Sequence, residues 1–135
     1  MMDTRQFLNR VKDEASLPDD RQAKNITEAV LTTLHSRIKE GEADDVEATL
    51  PTEIKELWEG DIGQKITKHL GAVDKLNKGQ FIARVQDKAR IATTEEAEQK
   101  TKAVIKVLKE AIPDGEVKDL SAQLPEDLRD FVKAA

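Results

Sequence analysis

The chain of 135 residues contains no cysteine, which excludes disulfides, thiolate zinc sites and cysteine nucleophiles. Aromatic residues make up only 3% of the sequence, less than a β-sandwich or a β-barrel normally contains. No apolar run approaches the roughly 20 residues that cross a bilayer, and the start, MMDTRQFLNR, lacks the apolar core of a signal peptide. We therefore expect a soluble, cytoplasmic protein that does not bind membranes.

Acidic residues outnumber basic ones, so the formal net charge is −5, although charged residues of both signs make up 36% of the chain. A net negative charge has the wrong sign for general binding to nucleic acids or to anionic membranes. We therefore expect no nucleic acid among the partners. The length is that of about one domain, so a single folding unit is the simplest prediction.

The sequence repeats itself, because a constant displacement aligns Asp3–Gly60 with Asn77–Ala134 without a gap. Under this alignment QFLNRVKDEA coincides with QFIARVQDKA, and AVLTTLHSRIKEGEADDVEATLP coincides with AVIKVLKEAIPDGEVKDLSAQLP. Apolar positions pair with apolar positions throughout, and the helix-breaking glycines and prolines coincide as well. We infer an internal duplication.

The apolar spacing within each repeat predicts four helices, with lengths of about 12, 20, 9 and 8 residues. Gly41 and Gly115 are predicted to take the left-handed angles that end the long second helices. Short third helices then follow over Glu42–Leu50 and Glu116–Leu124. Each last helix is expected to begin at a proline, where the missing N–H costs nothing.

Residues 1–60 form the first helical repeat, residues 61–76 a connector, and residues 77–135 the second repeat. Four aliphatic residues of the connector fall roughly on one face and predict a short docked helix, with a flexible linker as the alternative. A repeat of about 58 residues is marginal as a separate domain. The prediction is therefore one all-α bundle of two tandem repeats related by a pseudo-two-fold axis, and the alternative is two loosely tethered bundles.

Four paired segments resemble the bacterial domain-of-unknown-function 2267 family (DUF2267): QFLNRV/QFIARV, AVLTTL/AVIKVL, GEADD/GEVKD and LPTEIKELW/LPEDLRDFV. The motif GE-x-x-D, followed by LP-x-x-(I/L)-(K/R)-x-(L/F), carries the resemblance and occurs in both repeats. The resemblance implies a helical fold with tandem copies. It implies no catalytic residue, ligand or partner.

The sequence contains few residues in patterns typical of catalytic, phosphate-binding or metal sites. His35 and His69 lack a carboxylate one helical turn away, so we expect both on the surface and neither as a metal ligand. Phosphate-binding loops and a nucleophile elbow are absent from the sequence. We therefore predict a protein without catalytic, cofactor-binding or metal-binding residues.

The densest acidic cluster lies around Gly41, and most of its acidic residues follow this glycine. In a calcium loop the glycine instead lies in the middle of the acidic ligands. Glu42 with Asp45, and Glu116 with Asp119, recur in the two repeats and suit a capping arrangement. An acid–base pair formed between facing repeats is the alternative, but no pocket, nucleophile or histidine is predicted beside it. An enzyme that works through carboxylates is therefore the least favoured class.

Charge distinguishes the two repeats, since residues 1–60 carry 8 basic and 14 acidic residues whereas residues 77–135 carry 11 of each. On the second long helix, Lys102, Lys106 and Lys109 form a basic stripe. A solvated helix face is the simpler interpretation, and an anionic partner is the sharper hypothesis. Trp58 at the end of the first repeat is interpreted as a packing residue, with an exposed partner contact as the alternative.

The function that follows is a non-enzymatic helical module that binds a protein partner or a second copy of itself as a homodimer. No cofactor and no metal is expected. The alternative is a bundle that binds a small molecule or lipid in an apolar cavity between the repeats. That cavity would be lined by Phe7, Phe81, Leu34 and Leu108.

Overall fold

The computed structural model describes residues 2–60 and 75–135 of the chain. Over these ranges the secondary structure consists of α-helices without any strand, which confirms the all-α prediction. Among the described helices none has both the length and the apolar character needed to cross a bilayer. The predicted connector helix falls almost wholly on residues 61–74, which lie outside the described part.

Eight helices are described, four in each half of the chain. The first four are α1 (Thr4–Ala15), α2 (Asp20–Arg37), α3 (Glu40–Ala48) and α4 (Thr52–Glu59). The second four are α5 (Lys78–Ala89), α6 (Thr94–Ala111), α7 (Asp114–Ala122) and α8 (Glu126–Ala134). Each helix of the second group begins at the position that aligns with the start of its counterpart, so the helix starts follow the sequence repeat.

Capping side chains fix where the first helix of each half begins. Asp3 accepts a hydrogen bond from the backbone N–H of Gln6, whose side chain accepts one from the backbone N–H of Asp3. Asn77 and Gln80 form the same reciprocal pair at the start of α5. Such capping boxes satisfy backbone donors that the first turn of a helix leaves unpaired.

Both α1 and α5 end in the same left-handed turn. Ser16 and Arg90 each have φ 56° and ψ 50°. The N–H of Leu17 donates to the carbonyl of Lys12, and Ile91 follows the same pattern in the second half. This is the Schellman arrangement, which satisfies the last carbonyls of a helix and places an apolar residue just after its end.

The prediction of left-handed glycines at the ends of the long helices is wrong. Gly41 and Gly115 lie inside α3 and α7, and neither has a positive φ. The long helices end instead at Ile38 and Ile112, which are buried in the extended conformation with φ −111°. Burying an apolar side chain in the core directs the chain out of each helix, and α3 and α7 start two residues earlier than predicted.

The two long helices α2 and α6 contact each other at the centre of the molecule. Helix α1 packs on α6 and helix α5 packs on α2, so the first helix of each half lies on the long helix of the other half. Helix α4 packs on α2, α8 packs on α6, and α3 contacts α7. One hydrophobic core includes residues of both halves.

Candidate functional site

Two of the three lysines in the basic stripe of α6, Lys106 and Lys109, bind groups of the chain itself. The Nζ of Lys106 lies 3.2 Å from a carboxylate oxygen of Glu14 on α1. Arg10 binds both Glu14, at 2.9 Å, and Glu110, at 2.8 Å. The hydrogen bonds from Lys106 and Arg10 lower the pKa of Glu14, and the bond from Arg10 lowers the pKa of Glu110. Lys106 thus belongs to an ion-pair network that joins α1 to α6.

Lys109 also points to the chain itself. Its Nζ donates to three carbonyl oxygens at the end of α8, of which that of Val132 is the nearest at 3.0 Å. A cation is favourable at this end of a helix because the last carbonyls are unpaired and carry partial negative charge. Within the described ranges Lys102 is the exposed lysine of the stripe without such a contact, whereas Lys106 and Lys109 bind groups of the chain itself.

Trp58 is fully buried, and the ring of His35 stacks on it with a centroid distance of 4.8 Å and an angle of 6°. The Nδ1 of His35 lies 2.7 Å from the backbone oxygen of Trp58, and it donates because a carbonyl oxygen can only accept. Trp58 is therefore a packing residue that offers no surface to a partner. The prediction of a surface position for His35 is wrong, and His69 lies outside the described residues.

The residues expected to line an apolar cavity belong instead to the packed core. Phe7, Leu34, Phe81 and Leu108 are at most 2% exposed and belong to one cluster of buried residues. They line none of three pockets that stand out among the described residues. Within residues 2–60 and 75–135 these four side chains therefore pack together and do not line one of those pockets.

A groove runs between the N-terminal half of α2 and the end of α5. It consists of a pocket of about 830 Å³ that shares residues with a second pocket of about 420 Å³. Leu57 of α4 gives the larger pocket an apolar surface. The charged residues in its lining are Arg21, Lys24, Lys88 and Arg90 on the basic side and Asp19 and Glu28 on the acidic side.

The positive charges of this groove are exposed. Arg21 and Lys24 lie one turn apart on α2, and Arg90 is the left-handed residue that follows α5. Among the described residues none of these three forms an ion pair or a side-chain hydrogen bond. Basic residues outnumber acidic ones in the lining although the chain as a whole carries a net charge of −5.

A second charged site lies where α3 meets α7. Carboxylate oxygens of Glu42, Asp45 and Glu116 lie within 4.8 Å of one another. Glu42 is 9% exposed, and burial raises its pKa to about 7, with further contributions from the charges of Glu116 and Asp119. The capping interpretation of these residues is wrong, because the N-terminal residues Lys39 and Pro113 precede α3 and α7 and no side chain caps either helix.

Comparison with known families gives a match to the family described as "Uncharacterized conserved protein (DUF2267)" over residues 4–131. The chain belongs to this family. None of the curated proteins searched matches the chain. The family match runs from α1 into α8 and therefore includes the groove and the acidic cluster.

The two charged sites of this DUF2267 chain differ in what they can bind. The groove presents exposed cations beside an apolar side chain and suits a partner that carries carboxylates. The acidic cluster (Glu42, Asp45 and Glu116) presents partly buried carboxylates that need a compensating positive charge. The sequence shows each glutamate near an aspartate of its own helix, and it offers a pair formed between facing repeats only as the less favoured alternative.

Proposed function

We propose that this DUF2267 chain is a non-enzymatic helical module that binds an acidic segment of a protein partner in the groove between α2 and α5. The excess of basic residues in the groove of an acidic chain carries this proposal. A volume of about 830 Å³ is within the range of specific binding pockets and large enough for several side chains.

The side chains of the groove suggest the chemistry of the bound segment. Arg21 and Arg90 can each hold a carboxylate with two parallel hydrogen bonds, and Lys24 adds a further point charge. Leu57 offers an apolar contact on the same surface. A segment with acidic residues on both sides of an apolar residue satisfies all of these groups together.

A protein segment fits this groove better than a nucleic acid does. Basic residues outnumber acidic ones in the groove, whereas residues 1–60 as a whole carry 14 acidic residues against 8 basic ones. A long polyanion would extend beyond the groove and meet this negative surface. A short acidic segment would end within the groove and would not reach the negative surface.

We also infer that the two halves descend from one four-helix segment and pack about a pseudo-two-fold axis. The matched helix starts, the equal angles at Ser16 and Arg90 and the reciprocal packing of α1 on α6 and α5 on α2 support this inference. The positions equivalent to the basic groove residues are occupied in the other half by Glu14, Ser16, Glu95 and Glu98. The basic groove therefore occurs at one of two related interfaces.

The test is fluorescence anisotropy with a labelled peptide of alternating glutamate and leucine, compared with a peptide that has lysine in place of glutamate. We expect binding of the acidic peptide alone, weakening as salt is raised. Arg90→Glu and Lys24→Glu should each weaken binding by about tenfold or more. The matched control is Lys102→Glu, which makes the same charge change on an exposed face of α6 and should leave the affinity unchanged.

Equal binding of both peptides, or equal loss in the control variant, would show that the groove is not the site. Sedimentation of the free chain distinguishes a self-associating protein, whose mass rises with concentration, from a monomer that needs a different partner.

A further inference from the structure

The contact between α3 and α7 brings like charges together at equivalent positions of the two halves. Glu42 and Glu116 are the third residues of these helices and correspond in the alignment of the two repeats. Asp45 lies one turn further along α3, and its carboxylate joins the group. Asp119 of α7 adds a fourth negative charge to the field at Glu42.

Two of the carboxylate oxygens at this contact are buried and have no hydrogen-bond partner within the described residues. They are Oε1 of Glu42 and Oε2 of Glu116. More than nine-tenths of the surface of Glu42 is buried, and a carboxylate oxygen of Glu42 lies within 4.8 Å of carboxylate oxygens of Glu116 and Asp45. A buried anionic oxygen without a partner is costly, and its position among other carboxylates indicates that a positive charge is needed there.

We propose that Glu42, Asp45 and Glu116 bind a divalent cation, with Ca²⁺ as the best fit, and that the ion ties α3 to α7. The site uses none of the groove residues, so this proposal stands or fails independently of the proposed function. Carboxylate oxygens alone select hard cations over zinc or copper.

The coordination preferences of the two ions favour Ca²⁺ over Mg²⁺. The three carboxylate oxygens lie within 4.8 Å of one another on two different helices. Ca²⁺ accepts irregular arrangements of six to eight oxygen ligands, whereas Mg²⁺ demands near-ideal octahedral geometry and loses its waters reluctantly. Three carboxylates leave several coordination positions for water, which predicts affinity in the weaker range of calcium sites, about 0.1–1 mM.

The test is thermal unfolding of the full chain at pH 7.5, first stripped with a chelator and then titrated with CaCl₂, MgCl₂ or NaCl at equal ionic strength. We expect Ca²⁺ at 10 mM to raise the melting temperature by roughly 3–8 °C, Mg²⁺ to raise it less, and NaCl to have no comparable effect. Calorimetric titration of the stripped protein with CaCl₂ alone should give one ion per chain.

Neighbouring residues supply a matched pair of variants. Asp45→Asn removes a carboxylate of the cluster, whereas Asp44→Asn makes the same change at the adjacent exposed position of α3. Asp45→Asn and Glu42→Gln should abolish the Ca²⁺-induced shift, and Asp44→Asn should keep it. Because Asp45 is exposed, its replacement is not expected to prevent folding.

Several outcomes would overturn the proposal. A shift of the same size in Asp45→Asn and Asp44→Asn would mean that calcium only screens surface charge. Absence of any calcium effect, combined with a melting temperature that rises on acidification, would mean that the two glutamates share a proton instead of an ion.

Discussion

The ends of α4 and α8 occupy equivalent positions in the two halves and are secured by different chemistry. At α4, the ring of His35 is buried against Trp58 and donates to its backbone oxygen. At α8, the flexible ammonium group of Lys109 donates to the backbone oxygen of Val132. His35 aligns with Lys109 in the sequence repeat, and Trp58 aligns with Val132.

In both halves a side chain of the long helix donates a hydrogen bond to the end of the last helix. The two halves differ in how that donor side chain is positioned. The last carbonyls of a helix need a donor wherever the helix ends. In the first half that donor is part of an aromatic stack that also fills space in the core. In the second half the donor is a cation that interacts with the helix end mainly by charge. Salt should therefore weaken the contact of Lys109 and leave that of His35 unchanged.

The largest effect is expected at the aromatic stack. Trp58→Ala removes a fully buried ring from the core and should lower the free energy of unfolding by about 3–5 kcal/mol. The equivalent change, Val132→Ala, removes two buried methyl groups and should cost about 1–2 kcal/mol. Chemical denaturation of both variants measures the difference, and equal losses would mean that the ends of α4 and α8 are stabilised alike.

The centre of the molecule should respond equally in the two halves. Leu34→Ala and Leu108→Ala each create a cavity in the shared core and should each cost about 2–5 kcal/mol. Because the two positions are equivalent and both side chains are almost fully buried, urea unfolding should give losses of similar size. A large inequality would show that the two long helices do not contribute in the same way.

The contact between α3 and α7 should give a pH dependence. The pKa of Glu42 is raised in the folded protein from 4.5 to about 7, so the folded state holds the proton more tightly than the unfolded chain. Stability from this group is therefore greatest below about pH 4.5, falls as the pH rises toward 7 and is level above it. In chelated buffer at pH 8, Glu42→Gln should raise the free energy of unfolding by about 1–3 kcal/mol.

Measurement of unfolding at several pH values checks this expectation. The gain from Glu42→Gln should shrink as the pH is lowered from 7 to 5. Asp44→Asn serves as the control, and a gain that does not change with pH would show that ionisation of Glu42 is not its cause.

The two helix-end donors should differ in salt dependence. His35→Leu leaves the buried oxygen of Trp58 unpaired and should cost about 1–3 kcal/mol at any ionic strength. Lys109→Met should cost about 0.3–1 kcal/mol at low salt and less at 1 M NaCl, because salt screens a charge near the surface. Unfolding curves of both variants at two salt concentrations test this difference. A loss of stability in His35→Leu that depends on salt would contradict it.

Small effects are also expected at positions where the halves should behave alike. Gly41 and Gly115 lie in helices, and a methyl group added at either would meet no atom within 4 Å. Replacement by alanine should therefore stabilise the fold by about 0.4–1 kcal/mol at each position, because it reduces the freedom of the unfolded chain. Thermal melts of both variants should rise by similar amounts, whereas a fall in either would reveal a contact that needs the glycine.

Local patterns in the sequence were enough to predict the helices. The apolar spacing in α1, α2 and their counterparts placed the buried side chains correctly, because a helical stripe depends only on neighbours within a few turns. The glycines misled the prediction, since the long helices end at Ile38 and Ile112, buried residues that come before the glycines. The meeting of Glu42 with Glu116 enters the sequence analysis only as a less favoured alternative, because the two residues belong to different halves of the sequence and meet only after the halves pack.

Because α1 lies on α6 and α5 lies on α2, each half by itself covers only part of the apolar face of its own first helix. A polypeptide built in this way can satisfy the same contacts with the complementary half of a second molecule. Two chains that exchange halves would form an intertwined dimer without any new interface, and two fragments made by cutting between residues 61 and 74 should reassemble into the original core.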